Sequence, residues 1–222
     1  YPGPFPDPAR WADNHVFVNA ESAVHPKTKG TATFDALDSF GRLYNHLART
    51  NTPQASDYLT SSYIRLDSVF SPQARRLGPA DNVALSFYYQ PQGMASNPAP
   101  QDSLVLQFLR IPGHFATDEQ GATIWIEDFW QSVWKATGED LRSFSNDTFP
   151  YFKRAFIPIT DPVFFRKDFR FRFVNHVSFP APGGQSEDLE GHHTIWNIDY
   201  VSLDANRQSN QLFYNDIAFA AN

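Results

Sequence analysis

Phe169-Arg170-Phe171-Arg172-Phe173 alternates apolar and cationic side chains without a break. Successive side chains on a strand point to opposite faces, so this stretch predicts a strand with three phenylalanines in a core and two arginines in water. Its strongest companions lie upstream. Val83 to Tyr89 reads as a second strand, on which Tyr88 and Tyr89 must face opposite ways. Ser103 to Leu109 carries Leu104, Leu106 and Phe108 on one face and Val105, Gln107 and Leu109 on the other, the pattern of a central strand.

Further out the signals are shorter. Ala12 to Val18, Thr31 to Phe34, Thr60 to Leu66 (Ile64 and Leu66 inward), Trp130 to Lys135, Lys153 to Ile159, His193 to Leu203 and Leu212 to Phe219 complete the expected strands. Glu119 to Phe129 reads either as a hairpin insertion or as one helical turn, and Glu139 to Phe144 as a short helix. Gln90–Gln101, residues 111–129 and Pro180–Gly191 are the expected variable loops, and the stretch 91–101, with Met94, Pro98 and Pro100, suits a protein partner. Many short strands between Gly, Pro, Asp and Asn turns predict an all-β antiparallel sandwich of the jelly-roll kind. The expected organisation is an extended lead-in over 1–10, one domain over 11–205, and a last strand or linker over 206–222.

Composition agrees. Among 222 residues there are 17 prolines and 21 phenylalanines, and 18 of the 24 acids are Asp, a turn former, rather than Glu, a helix former. The absence of cysteine excludes disulfides, thiolate zinc sites and cysteine nucleophiles. A net charge of -6 argues against nucleic-acid or anionic-membrane binding, and no apolar run reaches the roughly 20 residues of a membrane span. Tyr1-Pro2-Gly3-Pro4-Phe5-Pro6 is not an intact signal peptide, and is expected to be the mature end left after removal of one.

Enzyme signatures are missing: no G-x-S-x-G, H-E-x-x-H, P-loop or G-x-G-x-x-G occurs. Glu119, Glu127-Asp128, Glu139-Asp140 and Glu187-Asp188-x-Glu190 fall in expected turns, where solvated acids belong. Residues adjacent on a strand face opposite ways, so His192-His193 does not suit a shared metal. Asp35, in the turn after Phe34, and Asp199, in the late strand, are a candidate calcium pair if the first and last strands are neighbours. Trp125, Trp130 and Trp134 are candidate sugar-stacking platforms or core residues, with Trp130 and Trp134 expected on one strand face with Ser132. Trp125, Trp130 and Tyr88 are the candidate ligand contacts. Asn146-Asp147-Thr148 matches a glycosylation sequon.

Taken in order, several pieces resemble extracellular jelly-roll modules of the MAM, cleaved-adhesin and choice-of-anchor J type. They are Tyr58 to Asp67, Val83 to Tyr89, Asp102 to Leu106, Phe169 to Phe173, and Ile195-Trp196-Asn197-Ile198-Asp199-Tyr200-Val201. Trp11 to Asn19 and Thr31 to Asp38 look like the first module of large surface proteins exported by the type IX route in gliding bacteria, and Asn215 to Phe219 like the lead into a next module. The resemblance implies a non-catalytic module at the cell surface that mediates adhesion, assembly with other proteins or copies of itself, or glycan contact. In some relatives a late acidic pair holds structural calcium; Asp199 matches its first member and Tyr200 replaces the second. Three functions stay open: a protein-contact module marked by an exposed apolar patch, a carbohydrate-binding module with exposed aromatics on a sheet, or a sandwich hydrolase or lyase with paired carboxylates in a cleft.

Overall fold

The computed structural model describes residues 3–44, 46–47, 51–146, 148, 150–179 and 194–210. Thirteen strands are present among them: β1 (Phe17–Asn19), β2 (Thr31–Phe34), β3 (Gln54–Thr60), β4 (Ser68–Val69), β5 (Arg75–Arg76), β6 (Ala84–Pro91), β7 (Ser103–Ile111), β8 (His114–Thr117), β9 (Thr123–Ile126), β10 (Phe129–Thr137), β11 (Lys153–Pro158), β12 (Phe171–Val177) and β13 (Trp196–Asp204). One sheet runs β1-β2-β13-β6-β11 and the other β10-β7-β12-β3; every pairing is antiparallel. The chain is an all-β sandwich, as the alternation predicts.

The core lies between these two sheets. Leu59, Leu104, Leu106, Phe108, Phe171 and Phe173 face it from the four-stranded sheet, and Phe34, Leu85, Phe87, Trp196 and Ile198 from the five-stranded one. The rings of Phe87 and Phe173 meet edge to face across the layers at 4.8 Å, a geometry that adds about 0.5–1.5 kcal/mol to simple burial. Tyr89 turns into this core and Tyr88 away from it.

Some boundaries differ from the sequence reading. β3 ends at Thr60, and residues 61–66 continue only through the isolated bridges Trp11–Ser61 and Ile64–Phe169, although Leu66 is buried and Ile64 packs on the core. The first strand starts at Phe17, not Ala12. The segment over 111–129 forms the hairpin β8–β9, not a helical turn, with Phe115 opposite Trp125. Leu141–Phe144 is the expected short helix, α1, started by the Asp140 carboxylate, which accepts from the Ser143 backbone N–H at 3.0 Å. The expected strand Leu212–Phe219, the loop Pro180–Gly191 and His192-His193 lie outside the described residues, as does Asp147 of the sequon.

A bulge corrects the expected face of β10. The register runs Trp130–Leu109 and Ser132–Gln107, then shifts so that Trp134 pairs with Leu106 and Lys135 with Val105. Since one extra residue flips the faces, Trp130, Ser132 and Lys135 point outward while Trp134 points inward. There Trp134 contacts the rings of Phe87 and Tyr89 at 5.0 and 4.8 Å.

Candidate functional site

The two outer faces of the sandwich are unequal. Across the five-stranded sheet lies the segment 20–30, tied down by sheet side chains. The Val24 N–H donates to Gln90 Oε1 at 2.8 Å and the Gln90 amide donates back to the Val24 carbonyl at 2.9 Å. Both Asp199 oxygens accept from Thr28, from its N–H at 2.8 Å and its hydroxyl at 2.7 Å. Gly93, at φ +65°, passes so close that an added Cβ would fall 2.2 Å from the Ser22 carbonyl oxygen. Asp199 is therefore a staple for this segment. Because Phe34 pairs with Trp196 and Ala32 with Ile198, Asp199 stands four residues along β2 from Asp35, roughly 13 Å at strand rise. The expected convergence of Asp35 and Asp199 on calcium is not what the register gives, and no cluster of three His, Asp or Glu suited to a metal occurs among the described residues.

The four-stranded sheet leaves its outer face open. An elongated groove of about 480 Å³ runs over β10, β7 and β12, lined by Gln101, Ser103, Val105, Gln107, Ser132, Val133, Lys135 and His176, with Pro53 and Trp134 at its sides. The strand period of two puts these residues on one face: Ser103, Val105 and Gln107 alternate with core leucines, and His176 opposes Ser103. Among the described residues no carboxylate lines this groove. Beside it, next to the lining Gln107, Arg172 packs against two aromatic rings, its guanidinium 4.2 Å from the Trp130 centroid and 5.1 Å from that of Tyr58. Arg172 Nε donates to Gln107 Oε1 at 2.8 Å, and Gln107 Nε2 to the Ser132 hydroxyl at 3.3 Å, a polar row across three strands. Arg170 continues the stack over Tyr63 and anchors to the Ser61 carbonyl.

Electrostatics follow from this packing. Burial lowers the pKa of Arg172, with the Tyr58 hydroxyl, Asp128 and Asp13 opposing that shift. Burial also lowers the pKa of His176, and the charges of Lys135 and Arg172 push it the same way. Lys135, Arg172 and His176 therefore lie within mutual electrostatic reach, and none of them has a carboxylate within ion-pair distance among the described residues.

The three candidate ligand contacts fall in three places. Trp130 is on the open face. Tyr88 is on the other sheet, beneath Lys27, whose ammonium lies 5.5 Å from its ring. Trp125 is on the hairpin arm β8–β9, 48% exposed, against Phe115, which is 71% exposed. Gly113 gives Trp125 its seat, since a Cβ there would lie 2.4 Å from Trp125 Cζ2. Ile124 and Ile126 are exposed on the arm's other side, and Met94, on the stretch expected to meet a protein partner, is exposed too.

A buried polar cluster was missed in the sequence. Asp57, wholly buried on β3, accepts from the Ala36 N–H at 2.7 Å, the Tyr44 hydroxyl at 3.0 Å and the Asn175 amide at 3.3 Å. Burial first, then the nearby charge of Asp35, push its carboxyl up to about 7, against the hydrogen bonds that favour ionisation. Tyr44 is pushed up by its own burial and by the Asp57 charge. Asn175 was detectable, because it falls in the inward register of Phe171 and Phe173.

No family model matches this chain, and no curated protein matches it. Among solved structures, it is similar to a chain described as "Family 16 Carbohydrate Binding Module-2", with a TM-score of 0.35 and 10% identity over 90% of this chain and 89% of that one. A likeness of that degree says nothing about ligands.

Proposed function

We propose that this chain is a non-catalytic binding module of an exported bacterial surface protein, and that it holds carbohydrate on the open face of its four-stranded sheet. The observation that carries the reading is the asymmetry of the two faces: one is covered by segment 20–30, while the other keeps a groove with the requirements of a sugar site. Amide and hydroxyl groups (Gln101, Ser103, Gln107, Ser132) can match ring hydroxyls, apolar Val105 and Val133 can meet ring carbons, and Trp130 stands beside the groove on Arg172, which bonds to Gln107. A rigid sheet holds these groups in place, so little ordering cost is added on binding. The order of strand motifs, similar to surface jelly-roll modules, supports the placement outside the cell. Among the described residues no helix is long and apolar enough to cross a membrane.

Affinity electrophoresis through gels containing single polysaccharides tests the proposal. Retardation by at least one polysaccharide, lost by more than tenfold in Trp130→Ala, is expected. A protein unretarded by every neutral and acidic polysaccharide tried overturns it.

A second reading, assembly with protein partners, is favoured by the arm, whose two strands carry large apolar residues on both faces and unpaired edges. Sedimentation of the wild type beside a Phe115→Ser/Trp125→Ser variant distinguishes it: self-association or partner capture should vanish in the variant while polysaccharide binding stays.

A further inference from the structure

Resting on the carbohydrate reading of the same groove, the geometry points to a narrower ligand class: a polysaccharide whose sugars carry carboxylates. Among the described residues the walls supply positive charge and no anion. Lys135 reaches in from β10 and Arg172 stands beside the lining Gln107, while the remaining lining is the neutral His176 ring, amide, hydroxyl and apolar. Elsewhere six arginines (Arg10, Arg42, Arg65, Arg75, Arg110 and Arg166) each pair with an aspartate, as in Arg110–Asp161 at 2.8 Å and Arg166–Asp168 at 3.2 Å. At the groove, by contrast, Lys135 in its lining and Arg172 beside it have no such partner among the described residues. Two like charges gathered on a concave surface concentrate the field and favour an anion there.

Arg172 is also prepared for a carboxylate. Its Nε is committed to Gln107 and its guanidinium packs on Trp130 and Tyr58, so the group is fixed before any ligand arrives, with its terminal nitrogens in no hydrogen bond among the described residues. A neutral sugar would leave Lys135 and Arg172 partly desolvated with nothing in return, and a carboxylate satisfies them. Nucleic acid is disfavoured by the overall charge of -6, since a densely charged strand must pass over acidic surface as well, whereas spaced uronate groups need only the local cations.

The test uses a matched pair of polymers, polygalacturonate and the same polymer fully methyl-esterified, each titrated calorimetrically into the whole chain at low salt. The expected result is binding to polygalacturonate at least tenfold tighter than to its ester. Lys135→Gln should weaken it about fivefold, the size of one exposed charge contact, and His176→Gln, which removes a ring kept neutral by burial and by Lys135, should change it less. Lys29→Gln, which removes the same charge from the segment over the other sheet, should leave it unchanged. Circular dichroism confirms that each variant is folded. Equal binding of both polymers overturns this inference and leaves the carbohydrate reading standing; binding of neither overturns both. An oligothymidylate that binds as tightly as polygalacturonate also overturns the inference, because the groove would then take any polyanion.

Discussion

Replacing Asp57 by Asn changes how stability depends on pH, and the structure gives the size of the effect. Asp57 is buried on β3 with its carboxyl pushed to about 7, whereas its value outside the fold is 3.8. The folded protein therefore keeps a proton that the unfolded chain has already lost between those two pH values. Stability falls where the native state binds more protons, so this group's contribution is complete below about pH 4 and is lost as pH rises toward 7. Each pH unit across the window is worth about 1.4 kcal/mol, which makes the full loss on the order of 4 kcal/mol. Asparagine cannot ionise and can still accept from the Ala36 N–H while its amide donates to the Tyr44 oxygen. Urea unfolding of wild type and Asp57→Asn at pH 4.5, 6 and 8 reads the difference directly. The variant should gain on the wild type steadily between pH 4.5 and 7 and hold that gain above it. Asp35→Asn, which removes the neighbouring charge, should reduce the wild-type loss. Parallel pH profiles for wild type and Asp57→Asn would refute the reasoning.

Other outcomes follow from particular contacts. Asp102 is fully buried and accepts from Ser178 N–H and hydroxyl, Thr194 hydroxyl and Ala99 N–H at 2.6–3.0 Å, so Asp102→Ala strands four donors and should cost about 3–5 kcal/mol in denaturant unfolding. Trp134→Ala should cost about 3 kcal/mol or more, because the ring packs on Phe87 and Tyr89, while Trp130→Ala, on the open face, should cost about 1 kcal/mol or less; similar costs would mean the β10 bulge is misplaced. Gly113→Ala drives a Cβ into the Trp125 ring, so tryptophan fluorescence should change while the melting temperature barely moves, the arm lying outside the core.

Alternation carried most of the fold. Phe171 and Phe173, with Leu104, Leu106 and Phe108, announced both strand character and burial, and all five lie in the core. What alternation could not reveal was the break in its own period: the bulge before Trp134 turns one of two tryptophans inward, and nothing in Trp130 to Lys135 marks where a residue is skipped. Asp35 and Asp199 looked compatible because β2 and β13 are indeed neighbours, but adjacency says nothing about register, and register holds them apart. The open face was harder still. Arg172 was legible as outward-facing, yet its place between Trp130 and Tyr58 depends on β10, β7, β12 and β3 lying in that order. The covering of the opposite face depends on Gln90 and Asp199 reaching a segment some 66 and 171 residues away in the chain.

The most direct test of the open-face account is the set of tryptophan indole N–H resonances, recorded as a soluble oligosaccharide from a retained polysaccharide is added. Five tryptophans give five reporters, with Trp130 beside the groove on Arg172, Trp134 at its side with its ring turned to the core, Trp125 on the arm, and Trp11 and Trp196 elsewhere. Trp130 should shift most and Trp134 weakly, with the other three still. A shift confined to Trp125, or to Trp11 and Trp196, would place the ligand on another surface and contradict the account.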